Sequence, residues 1–581
     1  MSMQKSCADD HPLTMKKLQR RVFLMLLVSW AATYCRRYFF NSIQVHDAQS
    51  QLLQQHPELD VDGDEEEEAI TFEDKMLRRP AYYRPVQTED ENNTMMAAPS
   101  LAALSYSDLI QRSMGLPKYT MRQVVEAADT FTAQYAIVVY DPERDAFIGY
   151  YSQNHQWVTG VTKKKISSTI TALTWLLRKL FPERFTPDSA EFVMALSGGD
   201  YPAVRNRGCI RRDSNQPCEE QEQIMNNKAP ILHFGSVFRQ PLFPNVIAMP
   251  MPGVHLNCFE QWFTSRKICQ QFLPSYLKPG GLVFGDDIGL YWDDLVPQLI
   301  WRGTDFPFLS NQNDLEQPSF EKYVGSAVVG NNNHPNEVAT AILRENFDRL
   351  VPRWKGVVLT AESEIEASRT GGLAKVNIKF SHVAGDGGKK RPAKGSPEYQ
   401  GWEQIGFPVA GEFMSSRELA KYKYHIDLGG GGGTSWTGTF EKLAMPGLLF
   451  HHVTPTKDYF HDLIEPWVHF VPVESDLSDL LTKMEWAEKH PNYSRQISEN
   501  ASRLMREIGT HEGFERVFQN SIVKPLRRVI EAYTPLDPTN KKHHGSFRQE
   551  LTKPNGFDWR KPFIKCTGEV RFSCKSIGSW D

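Results

Sequence analysis

The chain has little charge of one sign to spare. Its 66 lysines and arginines face 70 aspartates and glutamates, a formal net charge of −4, so the electrostatic footprint of a nucleic-acid binder is missing. A membrane-length apolar run near the N-terminus is missing too. Val22 to Tyr34 is thirteen residues, roughly 20 Å of helix at about 1.5 Å per residue, against a hydrocarbon core of ~30 Å. No repeated C-x-x-C spacing is present, which argues against a zinc-ribbon type of site. No strict internal repeat is visible.

What is present points to a large folded body. A length of 581 residues calls for two substantial domains plus appendages, and 40% hydrophobic with 11% aromatic residues suits a globular chain. The short apolar run lies between basic clusters, Lys16, Lys17, Arg20 and Arg21 before it and Arg36 and Arg37 after it. It reaches Phe40 if those two arginines snorkel to an interface. A signal anchor with a cytosolic tail (1–40) and a lumenal body is the preferred reading, a type II membrane protein of the Golgi or endoplasmic reticulum. A cleaved signal peptide or a transit peptide is the alternative. Six of the eight cysteines lie beyond the apolar run and fall as local pairs, Cys209 with Cys218, Cys258 with Cys269 and Cys566 with Cys574, which suits disulfides in an oxidising lumen. Sequons at Asn92, Asn492 and Asn500 are compatible with that route.

Residues 41–105 are polar and broken, with the acidic run "DVDGDEEEE", and read as a disordered stem. Asp60-Val61-Asp62 within it mimics a D-x-D metal motif but has no flanking strand, and no metal site is assigned. Beyond it "YAIVVYD", "AEFVMALSGGDYP", "PILHFGSV" and "GGLVFGDD" read as strands, and "ISSTITALTWLLRKLFPERF" as an amphipathic helix ending near Pro182. "GVVLTAES", "KYKYHIDL", "PGLLFHHV" and "WVHFVPV" continue the strand pattern. Strands alternating with helices predict parallel, helix-covered sheets. A boundary near Pro297 divides the body into two α/β lobes, 106–297 and 298–535, followed by a basic, irregular tail, 536–581. In the second lobe "ESDLSDLLTKMEWAEKH" predicts a helix capped by Asp476 with Leu477, Leu480, Leu481 and Met484 on one face. A helix over Phe514–Tyr533 is expected to bend at Pro525. "HVAGDGGKKRPAKGSPEYQG", from His382 to Gly401, reads as a surface insertion.

"YKYHIDLGGGGGTSWTG" runs a strand into five glycines. Two readings stand side by side. Bare backbone after a strand and before a helix presents amides to phosphate. Equally, Ile426-Asp427-Leu428-Gly429 with Gly431 and Gly433 satisfies the glycine motif of S-adenosylmethionine-dependent methyltransferases, though no acidic residue ends the next strand and Asp458 comes late. His451 and His452 are adjacent on a strand, point to opposite faces and read as structural rather than as joint metal ligands.

The blocks "KYKYHIDLGG…WTGTFEKLAMPGLLFHH", "EPWVHFVPVESDLSDLLTKMEWAEKH" and "ISENASRLMREI" resemble the CAP10-type glycosyltransferase family. That family takes in protein O-glucosyltransferases, fungal capsule xylosyltransferases and KDEL-bearing lumenal members. "LIWRGTDF" and "FVMALSGGDYPAV" resemble two further blocks of it, in the same order, so that the likeness spans roughly Tyr119 to Tyr533. The resemblance implies a GT-B architecture, two Rossmann-like lobes facing across a cleft, with no obligatory metal and no cofactor other than a UDP-sugar donor. It implies transfer of a sugar, glucose or xylose, to a hydroxyl of a protein or polysaccharide acceptor. Asp200 in G-D-Y-P takes the position of the family's catalytic carboxylate and would be the general base. Arg302, Gly303 and Thr304 would contact the nucleotide-sugar. Gly433, Thr434, Ser435, Trp436, Thr437, Gly438 and Thr439 would line its diphosphate, with Lys442 in the first turn of the following helix supplying charge. The chain departs from the pattern at Asp305 and Thr439, where relatives with protein acceptors usually carry arginines; Arg344, Arg349 or Arg353 are candidates to compensate. A methyltransferase, and a catalytically weak lumenal member that binds glycan or protein, are the competing functions.

Overall fold

In the computed structural model the described residues are 116–130, 135–151, 160–198, 229–237, 246–250, 255–274, 280–311, 315–325, 328, 334–384, 390–454, 456–536, 562–567 and 574–576. The expected anchor and stem, Asp200, the Cys209 and Cys218 pair and Asn92 lie outside them. Among the described residues no helix is long and apolar enough to cross a membrane.

Two mixed α/β assemblies are built on separate sheets. The strands of the first are β1 (Tyr135–Asp141), β2 (Ala146–Tyr151), β3 (Phe192–Ser197), β4 (Ile231–His233) and, after the short β5 (Gly235–Val237), β6 (Val246–Ala248). β1 is antiparallel to both β2 and β3, whereas β3, β4 and β6 run parallel. The all-parallel expectation therefore holds only for β3, β4 and β6. The reason is local: Pro142–Arg144 makes a single tight turn closed by Asp145 in the left-handed region (φ 40°), too short for anything but a hairpin.

The second sheet uses β7 (Val296–Thr304), β8 (Val376–Ala384), β9 (Lys390–Pro392), β10 (Tyr422–Ile426), β11 (Leu448–His452) and, past β12 (Thr456–Asp458), β13 (Val471–Val473). Its order is β13-β11-β10-β7-β8-β9, parallel throughout except for the edge hairpin β8–β9. β9 lies inside the segment read as a plain insertion. Numbering its five parallel strands one to five along the chain gives 2-1-3-4-5, the doubly wound order whose direction reverses between β7 and β10.

β14 (Pro562–Thr567) and β15 (Cys574–Ser576) return to extend the first sheet beyond β2, so the tail read as irregular supplies two strands. The Cys566–Cys574 disulfide crosses that pair, and Cys258–Cys269 forms as well.

Three other expectations change. "GVVLTAES" is not a strand. It belongs to a helix, Pro352–Thr370, whose residues from Pro352 to Ala361 are all buried, and a helix buried on every side reads in sequence like a buried strand. "GGLVFGDD" contributes one isolated bridge at Leu282 and then a helical turn, Gly285–Ile288. The "ESDLSDLL" helix starts at Leu480, because Leu477 adopts φ 60° and Asp476 accepts from the Ser478 amide instead of capping; Leu481 is left exposed. Near Pro525 the chain is interrupted as expected, by a π-helical turn (Gln519–Val523) that puts the proline in the first turn of Lys524–Ala532, where its missing N–H costs least.

The two sheets are tied together. β5 pairs antiparallel with β12, so a strand from each half of the chain forms one ladder. Phe440 and Leu449 from the second half pack in one core with Phe272 and the strands of the first sheet. His511–Phe518 brings Phe514 back onto Phe259 and Trp262, with ring centroids 5.2 Å apart in both contacts.

Candidate active site

The carboxyl ends of β7 and β10 flank the point where strand order reverses, the crevice in which open α/β sheets bind ligands. β7 ends in Trp301-Arg302-Gly303-Thr304; β10 leads through Asp427 into the glycines. Label Pro352–Thr370 α1. Arg353, in its first turn, holds the two strand ends together by donating to the carbonyl of Thr304 and, at 2.9 Å, to that of Leu428. Its guanidinium lies 5.2 Å from the Trp301 ring centroid, and burial pushes it down to about 10. A Cβ on Gly430 would stand 2.8 Å from Arg353 Nη2, which is why the chain is bare there. Arg353 thus stitches the crevice from within rather than facing a ligand. Arg353→Met should leave both buried carbonyls without donors and cost about 2–3 kcal/mol; a urea-unfolding midpoint equal to wild type would refute that role.

The glycine loop folds back on itself. The Gly429 amide donates to His452 Nδ1 at 3.0 Å, Gly430 to the Thr434 carbonyl at 3.2 Å and Gly433 to the Gly430 carbonyl at 2.9 Å, with Gly433 at φ 81°. These amides serve the loop's own fold, contrary to the expectation that Gly433 presents its amide to a diphosphate. The loop's outer side is the segment Thr434 to Gly438, half-buried at the rim and leading into α2 (Thr437–Ala444).

Several expected ligand contacts point elsewhere. Arg302 turns to β8, donating to the carbonyl and side-chain oxygen of Asn377 at 2.8 and 2.9 Å. Thr439 donates to Asp427 and is fully buried. Lys442 is not in the first turn of its helix: α2 begins at Thr437, so Lys442 lies one turn on, buried, with Nζ 3.2 Å from the Gly438 carbonyl. Burial pulls its ammonium below the ordinary lysine value. Asp305 accepts from the Ala384 amide at 2.7 Å and the Tyr399 hydroxyl at 2.6 Å, closing the end of β8. Arg344 and Arg349 are engaged at the surface with Glu362 and Glu316. Trp301 is core. What the fold does bring together is Trp436 of the rim and, from the first sheet, Phe234 just past β4, while Arg353 links the ends of β7 and β10.

Beneath the loop lies a polar layer. Asp427 accepts from Thr439 Oγ1, His451 Nδ1 and the His452 amide. Asp458, on β12, accepts from Thr434 Oγ1 at 3.0 Å, and burial raises its carboxyl to about 7. His452 also bonds the Ser475 carbonyl at 2.9 Å, so the adjacent histidines are structural. Burial pushes His452 down to about 4, and His425 and His461 to about 3. All three are neutral when folded and would protonate near pH 6.5 when unfolded. Their stabilisation is therefore complete above about 6.5 and drains away as pH falls toward 4, by up to about 1.4 kcal/mol per unit per histidine. Urea midpoints should drop between pH 7 and 5, and His425→Leu should flatten that slope; a midpoint indifferent to pH would contradict the buried neutral state.

Arg353 and Asp458 carried only weak sequence signals, a basic residue among several and a carboxylate after a strand. Phe234 carried none.

Residues 409–514 match the model of Glycosyl transferase family 90. That stretch holds β10, the glycine loop, α2, β11, the Asp427 layer and β12. Over this segment the chain is similar to glycosyl transferase family 90. Protein O-glucosyltransferase 2 of Danio rerio is 30% identical over 135 residues, 22% of this chain and 24% of that protein. Human Protein O-glucosyltransferase 1 is 25% identical over 173 residues, 28% of this chain and 41% of that protein. Human Protein O-glucosyltransferase 3 is 28% identical over 98 residues, 17% of this chain and 19% of that protein. The likeness thus spans less than half of these relatives' length. The family 90 segment contains one wall of the switch-point crevice; β7, Arg353 and the first sheet lie outside it.

Proposed function

We propose that the chain is a glycosyltransferase moving a sugar, glucose or a pentose such as xylose, from a UDP-sugar to a hydroxyl of a protein or glycan acceptor. The observation that carries this reading is the coincidence of the family 90 segment with the β10 side of the crevice, together with relatives named as O-glucosyltransferases. In it the two sheets are the lobes of a GT-B enzyme, and the diphosphate meets the Thr434–Gly438 rim at the start of α2, the end of a helix that favours an anion. Asp200 takes the proton of the acceptor hydroxyl. The freed oxygen attacks the anomeric carbon, the bond from that carbon to the diphosphate oxygen breaks, and UDP leaves with the electron pair. No metal is assigned a step. The two disulfides fit a lumenal body of a type II membrane protein in the Golgi or endoplasmic reticulum.

The test starts from the purified lumenal body. Saturating UDP at about 100 times its Kd should add roughly 2.7 kcal/mol of stability and raise the melting temperature. S-adenosylmethionine should add nothing. Hydrolysis of UDP-glucose, UDP-xylose, UDP-galactose and UDP-glucuronate then identifies the donor. Stabilisation by S-adenosylmethionine alone would overturn the reading in favour of a methyltransferase, and UDP binding without any donor turnover would favour a lumenal binding protein.

A further inference from the structure

Two of the chain's three N-x-S/T sequons fall on one helix, Pro491–Ile508, and the fold treats them differently. Asn492 follows Pro491 at the start of the helix, and it is exposed together with Tyr493. Asn500 lies in the middle of the helix and is half-buried, its side-chain oxygen 3.5 Å from Arg503 Nη1.

In both sequons the hydroxyl is engaged once the chain has folded. Ser494 is fully buried and donates to the Ala487 carbonyl at 3.0 Å, fastening this helix to the preceding one, Leu480–Lys489. Ser502 donates to the Ala444 carbonyl at 2.8 Å. A transferase that reads asparagine and hydroxyl together must meet either site before the helix packs. What separates the two is where the added sugar goes afterwards. A glycan on asparagine is bulky and hydrated and belongs on open surface. Asn492 already stands there, whereas at Asn500 the same group would have to leave a half-buried position beside Arg503.

The neighbours of Asn492 suit a sugar as well. Tyr493 is 43% exposed, and its ring centroid is 6.4 Å from that of His490. His490 stacks on Trp486 at 5.1 Å and 24°, and Trp486 meets Trp467 edge to face at 5.0 Å. The last three are half-buried, so a strip of rings reaches the surface beside the asparagine. The C–H face of a pyranose covers such rings while its hydroxyls stay in water, as amphipathic contacts at a wet boundary do.

The position also keeps a glycan clear of the crevice. Ser498, on the same helix, donates to the carbonyls of Pro446 and Gly447 at 2.9 and 3.0 Å, just before β11 begins. Glu488, in the preceding helix, pairs with Lys375 at 3.3 Å, just before β8 begins. Asn492 lies between Glu488 and Ser498 in the chain and so belongs to the amino-terminal edge of the second sheet. The switch-point crevice opens at the carboxyl ends of the parallel strands.

We infer that Asn492 carries an N-linked glycan. The inference rests on the lumenal part of the reading above. Its donor is an oligosaccharide held on a lipid diphosphate. Nδ2 of Asn492 bonds to the anomeric carbon, the bond from that carbon to the diphosphate oxygen breaks, and the lipid diphosphate leaves with the electron pair. One Nδ2 proton passes to a base of the transferase.

Peptide mapping of the full-length chain, made in a eukaryotic secretory host, tests it without any variant. Trypsin cuts after Lys489, Arg495 and Arg503, so Asn492 and Asn500 fall in separate peptides, 490–495 and 496–503. Peptide:N-glycosidase in heavy-oxygen water turns a glycosylated asparagine into a labelled aspartate, which mass spectrometry reads. The expected result is label on peptide 490–495, absent from a digest without the glycosidase. Peptide 490–495 recovered unmodified, with Cys258–Cys269 and Cys566–Cys574 oxidised in the same preparation, would overturn the inference and leave the lumenal reading standing. The same peptide unmodified, with those four cysteines as free thiols, would sink the lumenal reading itself. Label on 496–503 in place of 490–495 would overturn the inference, because exposure in the fold would not be what selects the site.

Discussion

Asp427→Ala will lower folding stability by about 3–5 kcal/mol, the cost of stripping one partner from a buried, fully bonded charge. The carboxylate is 1% exposed. Its Oδ2 accepts from Thr439 Oγ1 at 2.5 Å and His451 Nδ1 at 2.7 Å, and its Oδ1 from the His452 amide at 2.8 Å. Alanine leaves those donors buried and unanswered, at about 1–3 kcal/mol each for the ones that cannot find water. Asp427→Asn is the sharper control. It keeps the shape, but its NH2 must face one of the existing donors, so most of the loss should remain. Thr439→Val, which deletes a single donor, should cost only about 1 kcal/mol. Burial by itself would raise the Asp427 carboxyl, but the adjacent His451 and the hydrogen bonds outweigh it and hold it below the usual carboxylate range. A carboxyl held low when folded adds stability above its unfolded value near 4 and loses it as pH falls through the folded value. Urea unfolding followed by circular dichroism at pH 7 and pH 4 reads both effects. An Asp427→Asn midpoint matching wild type at pH 7 would show that the layer is not what holds the loop. The same bonds bear on the motif: Asp427 is buried beneath the loop and holds Thr439, His451 and the His452 amide, a packing role that accounts for its place in the glycine motif.

How far the sequence speaks for itself depends on the range of the signal. "KYKYHIDL" and "PGLLFHHV" were legible as β10 and β11 because short apolar runs bounded by turn residues have few other uses. The helix Pro352–Thr370 was not, because burial on all sides erases the 3.6-residue period that would have marked it. β14 and β15 hide for a different reason: they are short edge strands made by a tail that crosses back to the first sheet, and nothing local announces a partner so distant. The site shows the same division. The W-R-G-T strand and the glycine loop were both singled out, and they do end side by side at the switch point. Yet alternation along a strand says only that Trp301 and Arg302 face opposite ways, not which face is the crevice, and Arg302 went to Asn377. Lys442 was misplaced because no capping side chain marks the start of α2; Trp436 occupies that position and bonds nothing there. Phe234 against Trp436 is a contact between sheets, and no periodicity carries it.

Asp200→Asn should reduce sugar transfer by roughly 10²–10⁴-fold, the usual worth of a positioned general base, with UDP affinity kept within about twofold. Asp200 lies outside the described residues, so its case rests on what the described ones fix around it. β3, the strand that precedes the G-D-Y-P block in sequence, ends at Ser197. β4 runs parallel beside β3, so both strands open on the same edge, and that edge is where Phe234 meets Trp436 of the glycine-loop segment. Asparagine preserves size and polarity but cannot take a proton, which confines the loss to the chemical step. Single-turnover transfer and UDP titration on the same preparation separate the outcomes. Transfer undiminished in Asp200→Asn would pass the proton to another group and remove Asp200 from the mechanism. UDP affinity lost in parallel with transfer would make it part of the donor pocket instead of the base.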